Sequence, residues 1–196
     1  MQELEIIGTL IGLFYLYFEY KASIWLWATS IVMPAIYIFV YYDAGFYADM
    51  GINVYYLLAS GYGWAMWVHK TRGNNQPTTE RRISSMPAAR WLPLGAISLL
   101  FFGVIAFILI QFTDSTVPYG DSFTTALSIV GLWMLAQKYV EQWLVWVAVD
   151  VVCAGLYFYK ELYPTAILYA LYTVVAVFGY FKWVRMMELE KGKDYA

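Results

Sequence analysis

Apolar stretches of about twenty residues recur along the chain, and they constrain its fold more than any other feature. A stretch of that length can cross the hydrocarbon core of a bilayer as a helix. Hydrophobic residues make up 62% of the 196 residues and charged residues 13%, whereas soluble domains carry about 25% charged residues. The sequence therefore predicts an all-α polytopic membrane protein.

Seven transmembrane helices fit this pattern. They are predicted at about Leu4–Tyr20, Ser23–Tyr42, Phe46–Trp67, Trp91–Phe112, Asp121–Gln137, Lys138–Tyr159 and Tyr163–Val184. The segment Lys70–Arg90 separates the third and fourth helices, and its polar, basic composition predicts a loop.

The basic residues predict how the helices are oriented in the membrane. The long loop carries Lys70, Arg72, Arg81, Arg82 and Arg90 against one acid, Glu80, and the C-terminal tail carries Arg185, Lys191 and Lys193. Basic loops face the cytoplasm, so seven crossings place the N-terminus outside. We expect a multi-pass protein of the cell (inner) membrane. The net charge of −2 does not suggest nucleic acid as a partner.

The chain also repeats with an offset of 116 residues. The segment Gly63–Trp67 resembles Gly179–Trp183, and Trp27, Tyr41 and Tyr47 match Trp143, Tyr157 and Tyr163. Helices one to three thus mirror helices five to seven, and the fourth connects them. One connecting helix leaves both halves in the same orientation, which predicts a 3+1+3 parallel internal repeat of the SWEET-like kind, with substrate held between the two three-helix bundles.

This repeat gives predicted boundaries for the parts of the chain. They are 1–69 for the first three-helix repeat, 70–90 for the cytoplasmic basic loop, 91–120 for the connecting helix and an outer loop, 121–187 for the second three-helix repeat and 188–196 for a cytoplasmic tail.

The sixth predicted helix carries the residues that most suggest a binding site. Trp143 and Trp146 are three residues apart, and Asp150 follows one turn later. A carboxylate inside a membrane helix costs roughly 2.5–3.5 kcal/mol, so it indicates a functional site. Two indoles beside one anion would suit a flat cation. The alternative is a pair of interfacial tryptophans and a structural carboxylate that pairs helices.

Further candidates follow from the same reasoning. The other candidate substrate-binding residues are Trp27, Asn53, Gln137, Tyr157 and Tyr169. Lys138 and Glu141 flank the cytoplasmic end of the sixth helix. They are a candidate gate, although a simple surface pair is the favoured interpretation.

Composition argues against several other functions. One histidine, one cysteine and one acid in mid-membrane do not make a metal site or a nucleophile–base pair. We therefore expect no metal and no cofactor, and an intramembrane enzyme is disfavoured. The chain has no Gly-rich phosphate loop, which disfavours ATP-driven transport by this chain alone. A structural subunit of a larger membrane complex stays an alternative.

Two segments resemble a known family. FYADMGINVYYLLASGYGWAMW, Phe46–Trp67, and the stretch Asp121–Tyr169 are similar to the Pnu vitamin transporters, including the nicotinamide riboside transporters of the PnuC type. The WxxW motif followed by an acid or amide one turn later is the most specific part. The resemblance implies a 3+1+3 helix fold, a homotrimer and facilitated diffusion of a B-type vitamin, with functional coupling to a cytoplasmic vitamin kinase that traps it.

Three positions depart from the pattern of this family. Gln142 stands where the family often has Asn, and Asn53 where it often has Gln. Asp150 stands where many nicotinamide riboside carriers have Asn. The resemblance therefore implies nicotinamide riboside as the first candidate substrate, with thiamine as the alternative and riboflavin also within the family.

Overall fold

The computed structural model describes residues 13–43, 47–68 and 81–193, and these residues are almost entirely helical. The helices are α1 at 13–20, α2 at Trp25–Asp43, α3 at Tyr47–Val68, α4 at Trp91–Phe112, α5 at Pro118–Ala136, α6 at Gln142–Tyr159 and α7 at Tyr163–Lys193. A 3-10 turn, Ala88–Arg90, leads into α4. The all-α prediction and its seven helices are confirmed within this part of the chain.

Two helix boundaries differ from the prediction by four residues or more. The sixth helix begins at Gln142 and not at Lys138, because Lys138 has a φ of 52° that ends a right-handed helix. The seventh helix continues to Lys193 and not only to Val184. At 1.5 Å per residue α7 is about 46 Å long, so it exceeds a hydrocarbon core of about 30 Å.

The chain forms two compact units, Met1–Arg81 and Arg82–Ala196. In the first unit α2 packs against α3. In the second unit the helices pack in chain order, α4 on α5, α5 on α6 and α6 on α7. The predicted loop Lys70–Arg90 is therefore divided: residues 70–80 lie outside the described residues, and the segment after Arg81 belongs to the second unit.

In the first unit, the turn between α1 and α2 is closed by a Schellman motif. Ala22 adopts a left-handed conformation with a φ of 51°. Its N–H donates to the carbonyl of Glu19 at 2.9 Å, and the N–H of Ser23 donates to the carbonyl of Phe18 at 2.9 Å. These two bonds satisfy carbonyls that the end of a helix leaves without partners.

In the second unit, the turn between α5 and α6 has the same design. Lys138 is the left-handed residue, and its N–H donates to the carbonyl of Leu135 at 2.9 Å. The N–H of Tyr139 donates to the carbonyl of Met134 at 3.1 Å. Each of these four residues comes 116 positions after its counterpart in the first turn.

A tryptophan, a glycine and a second tryptophan hold α2 against α3. Trp27 is 1% exposed, and its ring lies over Gly63, where no Cβ blocks the approach. The rings of Trp27 and Trp67 pack edge to face, with their centroids 5.6 Å apart and an interplanar angle of 89°. Small residues allow such close approach between membrane helices.

The same three residue types hold α6 against α7. Trp143 is 1% exposed, and its ring lies over Gly179. Its centroid is 5.7 Å from that of Trp183, at an interplanar angle of 86°. The residues again follow their counterparts by 116 positions.

Three helical segments in the described part of the chain are long and apolar enough to cross a membrane. They are Ala88–Phe112 with 25 residues, Gln142–Tyr159 with 18 and Tyr163–Gly192 with 30. Large apolar side chains project from such helices, including Leu92 at 83% exposure and Phe112 at 74%. In a bilayer these side chains face lipid, as expected for a multi-pass membrane protein.

Gly179→Ala is expected to lower the midpoint of thermal unfolding in detergent. A Cβ at this position would lie 2.8 Å from three ring atoms of Trp143, and overpacking of this kind costs about 1–3 kcal/mol. Gly155→Ala is the matched control, because nothing lies within 4 Å of a Cβ there. The control should unfold at the wild-type midpoint or above it, since Ala favours a helix by roughly 0.5–1 kcal/mol over Gly. Equal midpoints for Gly179→Ala and wild type would contradict this packing.

Candidate functional site

Asp150 lies in α6 and is 8% exposed. Across residues 13–43, 47–68 and 81–193, no hydrogen bond or ion pair to its carboxyl is found. Cys153 of the next turn and Tyr169 and Tyr172 of α7 lie close enough to interact with it electrostatically. A buried carboxyl with aromatic neighbours and no described cation beside it is suited to a ligand that carries positive charge.

A stacked pair of tyrosines lies between α6 and α7, near Asp150. The rings of Tyr157 on α6 and Tyr169 on α7 stack with centroids 5.2 Å apart at 24°. Tyr172 meets Tyr169 at 5.7 Å, edge to face. The structure therefore brings three of the predicted site residues, Asp150, Tyr157 and Tyr169, into one cluster.

The two indoles of the WxxW motif turn to different neighbours. The Trp143 indole packs against Gly179 and Trp183 of α7. Trp146 lies against α5, where a Cβ on Gly131 would be 3.3 Å from its ring. Trp146 is half-buried, so it is the indole of the pair with surface left for a ligand.

Gln142 is a buried polar residue that was noted in the sequence only as a departure from the family pattern. It is 0% exposed, and neither its Oε1 nor its Nε2 has a hydrogen-bond partner among the described residues. Gln142, Trp146 and Asp150 follow one another at intervals of four, so they share a face of α6. That spacing was the signal available in the sequence.

The remaining predicted binding residues lie in separate places. Trp27 on α2 and Asn53 on α3 belong to the first unit, where Trp27 is fully buried and Asn53 is half-buried. Gln137 follows α5 in the second unit and is 6% exposed.

Lys138 and Glu141 are hydrogen bonded to residues 82–90, a segment that we call the strap. The strap forms a short parallel bridge with the α5–α6 turn: the N–H of Ser84 donates to the carbonyl of Lys138, and the N–H of Val140 donates to the carbonyl of Ser84, both at 3.0 Å. Lys138 is only 3% exposed, so it is not a surface residue in this state.

Two more contacts fasten the strap to this turn. The N–H of Met86 donates to Oε2 of Glu141 at 2.9 Å, and Met86 is 5% exposed. The Arg90 guanidinium donates to the hydroxyl of Tyr139 and lies 5.8 Å from the centroid of its ring. The favoured interpretation of Lys138 and Glu141 as a simple surface pair therefore does not describe this structure, and the candidate gate stays a prediction.

An ion pair lies near the other end of the second unit. Lys160, between α6 and α7, is 3.8 Å from Asp121 of α5, which also accepts from the hydroxyl of Ser115 at 3.0 Å. In the residues that the structure describes, no three His, Cys, Asp or Glu side chains come together as a metal site requires.

Comparison with known proteins agrees with this architecture. The sequence matches the family described as nicotinamide mononucleotide transporter over residues 2–185. The nicotinamide riboside transporter PnuC of Escherichia coli (strain K12) is 23% identical over 202 residues, covering 92% of this chain and 84% of that protein. The riboflavin/roseoflavin transporter RibM of Streptomyces davaonensis is 23% identical over 183 residues, covering 91% and 83%.

A solved structure gives the same result. The fold matches the crystal structure of the vitamin B3 transporter PnuC with a TM-score of 0.67 and 25% identity, covering 91% of this chain and 79% of that one. The matched family and this structure are transporters and not enzymes. Because the family match spans nearly the whole sequence, the chain belongs to the nicotinamide mononucleotide transporter family.

Proposed function

We propose that this protein takes up a cationic B-type vitamin, nicotinamide riboside first, by facilitated diffusion. The observation that carries the proposal is Asp150, buried in α6 without a described cation beside it and flanked by Trp146, Tyr157 and Tyr169. A pyridinium ring supplies both the positive charge and the flat face that such a site favours. The relatives that carry nicotinamide riboside by name support this choice.

Thiamine is the second candidate, because its thiazolium ring is also a flat cation. Riboflavin is neutral, so it would use the aromatic rings and gain less from Asp150. The similarity to RibM keeps riboflavin among the ligands to be tested. The homotrimer and the cytoplasmic vitamin kinase that the family resemblance implies stay predictions.

We also propose that α1–α3 and α5–α7 are the halves of a 3+1+3 parallel repeat, with α4 as the connecting helix. The support is geometric: the turns at Ala22 and Lys138 share one pattern of hydrogen bonds. The ring contacts Trp27–Trp67 and Trp143–Trp183 agree within 0.1 Å in centroid distance and 3° in angle. Packing repeated at a single offset is expected of duplicated helical units.

The proposed orientation places the strap in the cytoplasm and the α4–α5 loop outside. In a Cys153→Ala background, Thr116→Cys should react with an impermeant thiol reagent in intact cells, and Ala89→Cys should react only after lysis. Both positions are exposed in the structure, so their chemical accessibility is comparable. Labelling of Ala89→Cys from outside would reverse the orientation.

Transport is tested with purified protein in liposomes. Labelled nicotinamide riboside should equilibrate across the vesicle membrane at the same final level with or without a proton or sodium gradient. No nucleotide motif is present, and Asp150 is the one carboxylate deep within a predicted span, which gives no basis for ion coupling. Accumulation driven by either gradient would refute facilitated diffusion, and no uptake of nicotinamide riboside, thiamine or riboflavin would refute the function.

Asp150→Asn is expected to weaken binding of nicotinamide riboside more than binding of its neutral, ring-reduced analogue. Losing a charged contact in a partly desolvated site costs on the order of 1–3 kcal/mol, or roughly five- to 150-fold in affinity. Titrations that follow tryptophan fluorescence would measure both ligands.

The matched control is Asp114→Asn, which changes an exposed acid of the α4–α5 loop and should bind both ligands like wild type. Equal losses for the charged and neutral ligands in Asp150→Asn, together with a lower unfolding temperature, would mean that Asp150 pairs helices.

A further inference from the structure

The Gln142 side chain places a primary amide in the buried interior of the second unit. It is 0% exposed, so water does not reach it. Its Oε1 and its Nε2 both lack a hydrogen-bond partner within the described residues. A buried amide with neither of its groups paired is destabilising, and native proteins rarely retain one without a partner in some functional state.

The first unit shows that the fold itself does not need an amide at this position. The residue 116 positions earlier is Leu26, which is also 0% exposed and also lies in the first turn of its helix, four residues after a left-handed residue. The backbone bonds correspond: Leu26 N–H to Ser23 carbonyl at 3.1 Å, and Gln142 N–H to Tyr139 carbonyl at 3.3 Å. An apolar side chain therefore satisfies the packing that this turn creates.

The unpaired indole of Trp143 differs from the Gln142 amide in this respect. The Nε1 of Trp143 is unpaired in the described structure, but so is the Nε1 of its counterpart Trp27. That feature belongs to the packing that both units share. The amide of Gln142 has no polar counterpart at Leu26, so it is specific to the second unit.

Three of the positions at which α6 differs from α2 lie on one face of α6. Trp146 replaces Ser30, Asp150 replaces Pro34, and Gln142 replaces Leu26, each at the offset of 116. These three α6 residues lie four apart and share one face of the helix. Two of them already form the proposed site, and the third is a buried polar group on the same line.

We propose that Gln142 is a substrate-binding residue that determines specificity for a ligand group with both a donor and an acceptor, such as a carboxamide. Its Oε1 accepts from the ligand N–H, and its Nε2 donates to the ligand carbonyl. This role rests on the proposed function. Because nothing reaches the amide in the present state, the helices around the start of α6 separate when the pair forms. The empty state then leaves the amide unpaired, and the occupied state satisfies it.

The experiment is a ligand titration of the Gln142→Leu variant. This substitution introduces the residue type that the first unit has at the equivalent position, Leu26. Purified wild type and variant are titrated with nicotinamide riboside, which carries a carboxamide, and with nicotinic acid riboside, which carries a carboxylate in its place. The variant should lose about tenfold or more in affinity for the carboxamide ligand and less for the carboxylate ligand. Its unfolding temperature without ligand should equal or exceed that of wild type, because an unpaired amide has become an apolar group.

Leu26→Gln is the matched control, since it places an amide at the equivalent position of the first unit. It should lower the unfolding temperature and leave the ratio of the two affinities unchanged. Gln142→Leu that keeps the wild-type ratio would overturn the role of Gln142, as would a variant that loses stability and both affinities alike. A wild-type protein that binds neither ligand would instead refute nicotinamide riboside as the substrate, and the carboxamide role with it.

Discussion

The packing of α6 on α7 in the second unit depends on the Trp143 indole, which occupies the space that a side chain at Gly179 would fill. Lipid is as apolar as leucine, so membrane helices gain little from hydrophobic burial and must fit closely. The Trp143 indole lies directly over Gly179 and against Trp183, which fixes α6 on α7. This fit brings Tyr157 onto Tyr169 and leaves Asp150 among the aromatic residues of α7. The position of the carboxyl thus follows from a packing contact that carries no charge.

The two units use one scaffold and differ in chemistry. The Trp–Gly–Trp contact and the left-handed turn occur in both, and they serve packing in both. The first unit has apolar or small residues where α6 carries Gln142, Trp146 and Asp150. Two helix pairs that share one packing contact can tolerate such divergence, because that contact does not involve the divergent positions. The divergent positions are then free to meet the needs of an asymmetric ligand.

Much of this arrangement could be predicted from the sequence, because periodicity and offset are local signals. The bounds of α4, the matching glycines and tryptophans and the place of Asp150 in a helix follow from such signals. The start of α6 does not, since the turn at Lys138 is bonded to Ser84, more than fifty residues away in the chain. The division of Trp143 and Trp146 between α7 and α5 depends on where Gly179 and Gly131 leave room. The length of α7 was missed because charges end a membrane span without ending a helix.

The strap has a mechanical consequence. Ser84, Met86 and Arg90 join it to the α5–α6 turn, and Arg90 is followed directly by the first residue of α4. The start of α6 and the start of α4 are therefore joined by hydrogen bonds. Within α4 only Ala106 is fully buried, and most of the other side chains are exposed and available to lipid. A displacement of the start of α6 would break these bonds or move the start of α4 among the surrounding acyl chains, so the properties of the bilayer would bear on that displacement.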